Sequence, residues 1–336
     1  MRAAIRRPAR RSRAPYINRV RACPSPDTAA EPIPVSCAVA AVAGAEHTAR
    51  DSLVRGVCAM GRSRIRHLGR VFGGLLLVVG VVITAQPAVA ITGGQRDEVH
   101  TNVGLVRFTT ETGRFRCSGT LISPTVVLTA GHCTGDTGAS PATNVYVSFN
   151  TDLALDPLAP GITPAERAAR AANYITGTAH PDPGWDGKLS ISKQHDQGVV
   201  VLDAPAASKW PGIRPAPLLP VGTLDGNQGA LKNETFTLVG YGVAIGEKKA
   251  TIVVPERRFT TSFLKNVQDE VVTFQINDRD AKAGGGSCFG DSGGPVFLGQ
   301  FVVGDASFVN SLTCNATGGY QRVDTPYARA FLDQFI

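Results

Sequence analysis

Three short segments carry side chains whose types and settings suit acyl transfer. Gly290-Asp291-Ser292-Gly293-Gly294-Pro295 sets a serine in a glycine-rich turn, where missing side chains let the backbone amides of Gly290 and Ser292 approach a substrate oxygen. Thr129-Ala130-Gly131-His132-Cys133 ends an apolar run with a histidine beside a cysteine. His195-Asp196-Gln197-Gly198-Val199-Val200-Val201-Leu202 puts a carboxylate at the start of another such run. A serine hydroxyl is a weak nucleophile until an imidazole takes its proton, and the imidazole needs a carboxylate to fix its orientation. A lone histidine is more often structural than catalytic; for His132 the surrounding segments reverse that expectation. Asp291, one residue from Ser292, cannot readily orient a separate histidine, and His195 is expected to be a surface side chain.

Such groups must be positioned by a framework, and the chain supplies short runs rich in Val, Thr and Phe between turn residues. These are Val103 to Phe108, Thr120 to Ala130, Val145 to Phe149, Gly198 to Leu202, Thr235 to Gly240, Val271 to Ile276 and Gln300 to Val303. Their spacing predicts an antiparallel all-β protein. Two helices are expected, a short one within Pro164 to Tyr174 and a C-terminal one after Asp324-Thr325-Pro326. In the second, Tyr327, Ala330, Phe331 and Phe335 repeat at helical spacing and should dock on the sheet.

The net charge of +7 over 336 residues suggests a nucleic-acid partner only until it is divided along the chain. Residues 1–90 hold 14 Lys and Arg against 4 Asp and Glu, which leaves 20 against 23 in residues 91–336, a body of net charge −3. Nucleic acid is therefore not an expected partner. From Met60 onward the chain reads as a secretory signal: Arg62, Arg64, Arg66 and Arg70, the apolar run Val71 to Ala85, and the small residues Ala88-Val89-Ala90 before a cut. Gly73, Gly74, Gly80 and Pro87 interrupt this run and argue against a stable membrane anchor. Residues 1–59 lack periodicity and are read as a non-domain leader or a mis-assigned start, with translation from Met60 favoured; residues 60–90 are the signal and 91–336 the functional domain.

Of seven cysteines, Cys23, Cys37 and Cys58 fall in the leader, so Cys117, Cys133, Cys288 and Cys314 remain. Four cysteines in an exported chain suggest two disulfides, and spacing alone allows three pairings. With no CxxC motif, no metal cluster and no phosphate loop, neither a metal nor a cofactor is expected. Asn233-Glu234-Thr235 and Asn315-Ala316-Thr317 fit a glycosylation pattern too short to outweigh chance, and are read as unmodified.

The three reactive segments, in the order His, Asp, Ser, resemble the chymotrypsin/trypsin family of serine endopeptidases, and the resemblance runs from Ile91 to Ile336. It implies two perpendicular six-stranded antiparallel β-barrels with a C-terminal helix and the site in the cleft between them. It also implies His132 as general base and acid, Asp196 as its orienting carboxylate, Ser292 as nucleophile, and Gly290 and Ser292 as oxyanion donors. Cys117–Cys133 and Cys288–Cys314 match family disulfides, and Ser307 matches the serine that supports the triad aspartate. Ile91-Thr92-Gly93-Gly94 is similar to the family's mature N-terminus, whose freed amine would pair with Asp291. By the same resemblance Gly286 is the floor of the pocket for the side chain before the cut bond, and Val309 and Gly318 are its walls. A floor without a carboxylate speaks against Lys and Arg, and Val309 resembles the elastase branch; Ala, Val, Leu or similar apolar side chains are expected, with large aromatics the alternative if Val309 turns aside. The implied protein is a secreted, monomeric peptidase acting on proteins or peptides and open to protein inhibitors. A non-catalytic homologue that binds or regulates is the alternative, disfavoured because no triad member is missing.

Overall fold

The computed structural model describes residues 91, 93–245, 251–253, 255–277 and 284–336. Thr92, the leader 1–59 with Cys23, Cys37 and Cys58, and the expected signal 60–90 lie outside them.

Six strands close the first barrel: β1 (Val103–Thr110), β2 (Gly113–Ser123), β3 (Val126–Thr129), β4 (Thr143–Ser148), β5 (Ile175–Pro181) and β6 (Gly198–Leu202). They pair antiparallel in the order β1-β2-β3-β6-β5-β4, and β4 returns to β1. The second barrel holds β7 (Thr235–Gly240), β8 (Arg258–Val267), β9 (Val271–Gln275), β10 (Pro295–Leu298), β11 (Phe301–Val309) and β12 (Thr317–Arg322). Its order is β8-β7-β10-β11-β12-β9, closed by the pairing of β8 with β9, while a short strand, Gln95–Arg96, edges β8. Closure removes the open edges that would otherwise invite pairing with another chain.

The first barrel fills its interior with Val106, Phe108, Leu121, Val127, Val147 and Val200. Alternate residues of the same strands, Val103, Leu105, Leu128 and Val199, join Phe236, Leu238, Phe274, Val296 and Val302 in the core of the second. One barrel therefore packs an outer face onto the other, which holds the strand ends that carry the site. Arg257, wholly buried, reinforces this seam: it pairs with Asp97 at 3.1 Å and donates to the carbonyls of Val103 and Phe149 at 3.1 and 3.2 Å. A buried guanidinium persists only with such complete pairing.

Several elements differ from the sequence expectation. The run Thr120 to Ala130 is two strands, β2 and β3, because Pro124 and Thr125 make a turn within it. Strands β5, β8, β10 and β12 were not expected. In β8 the buried positions are Arg258, Thr260, Ser262 and Leu264 while Phe259 and Phe263 are only half-buried, so the polar and apolar faces are reversed. In β12, Gly318 and Gly319 suggest a turn, yet pairing on both sides makes a ladder.

Three helices matter here. The four-residue α1 (Gly131–Thr134) carries His132. In α2 (Pro164–Ala171) a capping box forms, Thr163 accepting from the Glu166 amide at 3.2 Å and Glu166 accepting from the Thr163 amide at 2.7 Å. The C-terminal α3 (Pro326–Leu332) starts at the Thr325 cap with Pro326 in its first turn. Its buried face is Ala328, Phe331 and Leu332; Tyr327 and Ala330 are exposed, so the docking stripe is rotated from the one the spacing suggested.

Candidate active site

Strand pairing brings the histidine and aspartate together. β3 and β6 run antiparallel with Thr129 opposite Gly198, so the chain just past Thr129 lies beside the chain just before Gly198. There Asp196, wholly buried, accepts from the His132 amide at 2.8 Å and faces its Nδ1 with two oxygens at 3.0 and 2.9 Å. Beside an ionised carboxylate Nδ1 must carry the proton, which leaves Nε2 with its lone pair available. Burial disfavours the imidazolium, but the charge of Asp196 and its hydrogen bond outweigh this and hold the His132 pKa above the ordinary 6.5. The Cys117–Cys133 disulfide ties the residue after His132 to β2.

From the second barrel, Ser307 on β11 donates its hydroxyl to Asp196 Oδ2 at 2.6 Å and accepts from the Gln194 amide at 2.7 Å. Gln194 in turn is fixed by Glu270, which accepts from its backbone at 3.0 Å. His195 is not the surface group expected. It is half-buried, with Nδ1 3.5 Å from Glu270 and its ring centroid 4.0 Å from that of Tyr327.

Ser292 is half-buried in a turn whose glycines Gly290 and Gly293 take φ of 95° and 75°, values that other residues adopt at a cost. A Cβ on Gly293 would collide with Thr129 and would lie 2.7 Å from the Ala130 nitrogen, so the serine turn abuts the segment that leads to His132. No hydrogen bond joins His132 to Ser292 among the described residues. Nor does any described acceptor take the N–H of Gly290 or Ser292, which leaves two amide donors beside the hydroxyl.

Ser118 went unnoticed in the sequence. Its amide donates to the Ser292 carbonyl at 2.8 Å and its hydroxyl to the Gly290 carbonyl at 3.0 Å, fixing the turn from the first barrel. A position next to Cys117 is the signal that could have found it.

Asp291 points inward, accepting from the amides of Gly242 at 2.7 Å and Cys288 at 2.8 Å. Burial pushes its pKa up to about 7 against those bonds and the charge of Arg116. Ile91 is also buried, and its carbonyl accepts from the Gly94 amide at 2.7 Å. In the continuous chain the Ile91 nitrogen belongs to a peptide bond with Ala90, so it is no amine, and no hydrogen bond or ion pair joins Ile91 to Asp291 among the described residues.

Val309 and Gly318 are register partners on the adjacent strands β11 and β12, side by side in one sheet. The Cys288–Cys314 disulfide closes the segment around them. Ile276, a wholly buried residue just beyond β9, was missed. A Cβ on Gly286 would collide with Cβ and Cγ2 of Ile276, and one on Gly318 would lie 3.0 Å from Ile276 Cγ2 and 3.3 Å from Tyr320 Cε2. Ile276 therefore fills the space towards which both positions face, and no motif marks it.

Donor atoms of Cys117, His132 and Cys133 lie within 4.8 Å of one another, a spacing that could suit a metal. Both sulfurs are spent in a disulfide and Nδ1 is committed to Asp196, so these residues do not fit an ion.

No curated protein sequence matches the chain. Among solved structures it is similar to HL collagenase at 17% identity, over 72% of this chain and 95% of that one, with a TM-score of 0.51. It is similar to human heparin binding protein at 17% identity, over 72% and 95%, with a TM-score of 0.50. At such identity these likenesses show the fold. The family model described as Trypsin matches residues 91–330, a span that includes His132, Asp196 and Ser292, and the chain belongs to the trypsin family.

Proposed function

We propose that this protein is a secreted serine endopeptidase that cleaves peptide bonds through an acyl-enzyme on Ser292. The observation that carries the reading is the bonding of His132 to Asp196, backed by Ser307, beside a serine turn with two amide donors. Nε2 of His132 takes the Ser292 proton as Oγ attacks the substrate carbonyl, and the amides of Gly290 and Ser292 stabilise the oxyanion. The imidazolium then gives its proton to the leaving amine. Water, deprotonated by the same histidine, attacks the acyl carbonyl and restores Ser292.

The side chain before the cut bond is small to medium and apolar. Gly286 offers no carboxylate to Lys or Arg, Val309 narrows one wall, and Ile276 occupies the depth a larger side chain would need, so Ala and Val fit better than Phe or Tyr. Signal cleavage after Ala90 frees the Ile91 amine, which pairs with Asp291 and orders the turn without a separate activation step. Two disulfides agree with an oxidising, extracellular setting. The enzyme acts as a monomer.

Peptide-library cleavage by the secreted protein, read by mass spectrometry, tests this. Cuts after Ala and Val are expected. Dominant cutting after Arg or Lys overturns the pocket reading. No cutting by folded protein with a free Ile91 replaces the peptidase by a non-catalytic binding homologue.

A further inference from the structure

Behind the triad aspartate lies a group of buried polar atoms that the chemistry above does not use. Asp305 on β11 is wholly buried, and neither carboxyl oxygen has a hydrogen-bond partner. Gln321 stands opposite it on β12, about 1% exposed, with its Oε1 unpartnered. Gln197, the residue after Asp196, is equally buried; its side-chain amide lies beside Asp305, yet Nε2 and Oε1 both lack a partner. Isolated unpaired atoms of this kind are rare in folded proteins, and here they meet from three strands or strand ends.

We propose that Asp305 is a neutral carboxylic acid which, through its proton, joins Gln197 and Gln321 in a closed hydrogen-bond network that positions Asp196. The acid's O–H can donate to Gln197 Oε1 or Gln321 Oε1 while its carbonyl accepts from Gln197 Nε2, so the proton gives these unpartnered oxygens a donor. An ionised Asp305 has no donor to offer either of them. It would also place a second negative charge near Asp196 with no cation to answer it.

The neighbouring charges agree. From β12, Arg322 follows Gln321, but its guanidinium is engaged by Asp225 at 2.7 Å and Asp324 at 2.8 Å. From the segment before β6 the facing charge is Asp196, with His132 beyond it. Asp182, whose amide donates to the Gln197 carbonyl at 2.9 Å, directs Oδ1 to the Gly184 amide and the Tyr327 hydroxyl. β10 brings Pro295 opposite Asp305, without charge. No described cation pairs with Asp305; burial and then the Asp196 charge drive its pKa well above the carboxylate range, against the nearby Gln197 amide and its own backbone, which favour the ionised form.

Asp305 thus acts through Gln197 as a positioning residue. Its protonation state can be tested without turnover; its positioning role rests on the peptidase reading above. The His132 imidazole is titrated by NMR in the whole protein and in Asp305→Asn. A neutral Asp305 leaves the midpoint in place, whereas removing a real charge near the triad would lower it by about one unit, which overturns the proposal. A carboxylic-acid C=O band in the infrared spectrum at neutral pH, lost in Asp305→Asn, is the second expected result; its absence from the wild type counts against the neutral acid. For positioning, Asp305→Ala should lower kcat about tenfold at nearly constant KM, and asparagine at 305 should recover most of that loss. If the alanine variant does not fold, Gln197→Met should show the same fall. Full kcat in either overturns the positioning role, while an expected titration in a wild type without turnover fails the peptidase reading alone.

Discussion

Asp196 is held by directed bonds: His132 and Ser307 both donate to it within 3.0 Å, from segments anchored in different barrels. The positions matched to a substrate pocket are shaped by bulk instead: a Cβ on Gly286 or Gly318 would meet Ile276, and Val309 pairs with Gly318 on the next strand. Directed bonds need particular residue types at particular positions, and a change of one residue breaks them. Bulk needs only volume, which can come from anywhere in the chain that reaches the space. The two regions should therefore respond to substitution in different ways.

The largest effect is expected in the bonded region. Ser292→Ala or His132→Ala should lower kcat/KM by about 10⁴-fold or more, leaving what the oxyanion donors and binding supply. Steady-state kinetics on a good peptide measures this, and near wild-type activity in either variant breaks the assignment.

A volume change in the pocket should redirect activity rather than abolish it. Ile276→Ala is expected to raise the Phe-to-Ala preference before the cut bond by about 10- to 100-fold, since each methylene of pocket space is worth about 1–3 kcal/mol. Competition between paired peptides reads the ratio, and an unchanged ratio would show that Ile276 does not bound the pocket. Conversely, Gly286→Ala should cost about 1–3 kcal/mol of stability by overpacking against Ile276, visible in the denaturant midpoint.

Ser307→Ala removes one of the bonds to Asp196 and should cost about 1.5 kcal/mol, roughly tenfold in kcat. The raised His132 pKa places the acid limb of kcat/KM above the ordinary histidine value of 6.5; activity rises with pH through that limb as the imidazole becomes neutral. A limb well below 6.5 would contradict the influence of Asp196.

A further effect, on stability rather than turnover, concerns Asp291. Its pKa is raised from 3.8 to about 7 in the folded chain, so between those values the folded state binds more protons than the unfolded one. Stability of the uncut chain should therefore fall as pH climbs from 3.8 to about 7 and level off above. Freeing the Ile91 amine should flatten this slope by giving the carboxylate a partner. Denaturation midpoints across pH for the two forms decide it, and equal slopes would argue against the pairing.

How much was legible follows the same division. Glycines around Ser292 and a histidine after an apolar strand mark bonded chemistry by residue type, so these segments stood out, as did strands such as Val103–Thr110 with their apolar density. The pairing of Cys117 with Cys133 and of Cys288 with Cys314 came from resemblance, since spacing left other pairings open. Ile276 was invisible because an isoleucine after a strand reads as ordinary core. Arg258–Val267 was missed because its buried face is Arg258, Thr260 and Ser262, a reversal only tertiary pairing can sustain. Asp305 and Gln197 were not singled out because a lone carboxylate or amide in a strand-rich stretch carries no signal; burial and the nearness of the Gln197 amide to Asp305 mark them only in the fold.

The central claim is that Ser292 is a nucleophile activated by His132. Labelling the secreted protein with a serine-directed fluorophosphonate, followed by peptide mapping, tests it most directly. The expected result is one label per molecule, on Ser292, absent from Ser292→Ala and strongly slowed in His132→Ala. Folded protein with a free Ile91 that takes no label, or takes it on another serine, would contradict the account.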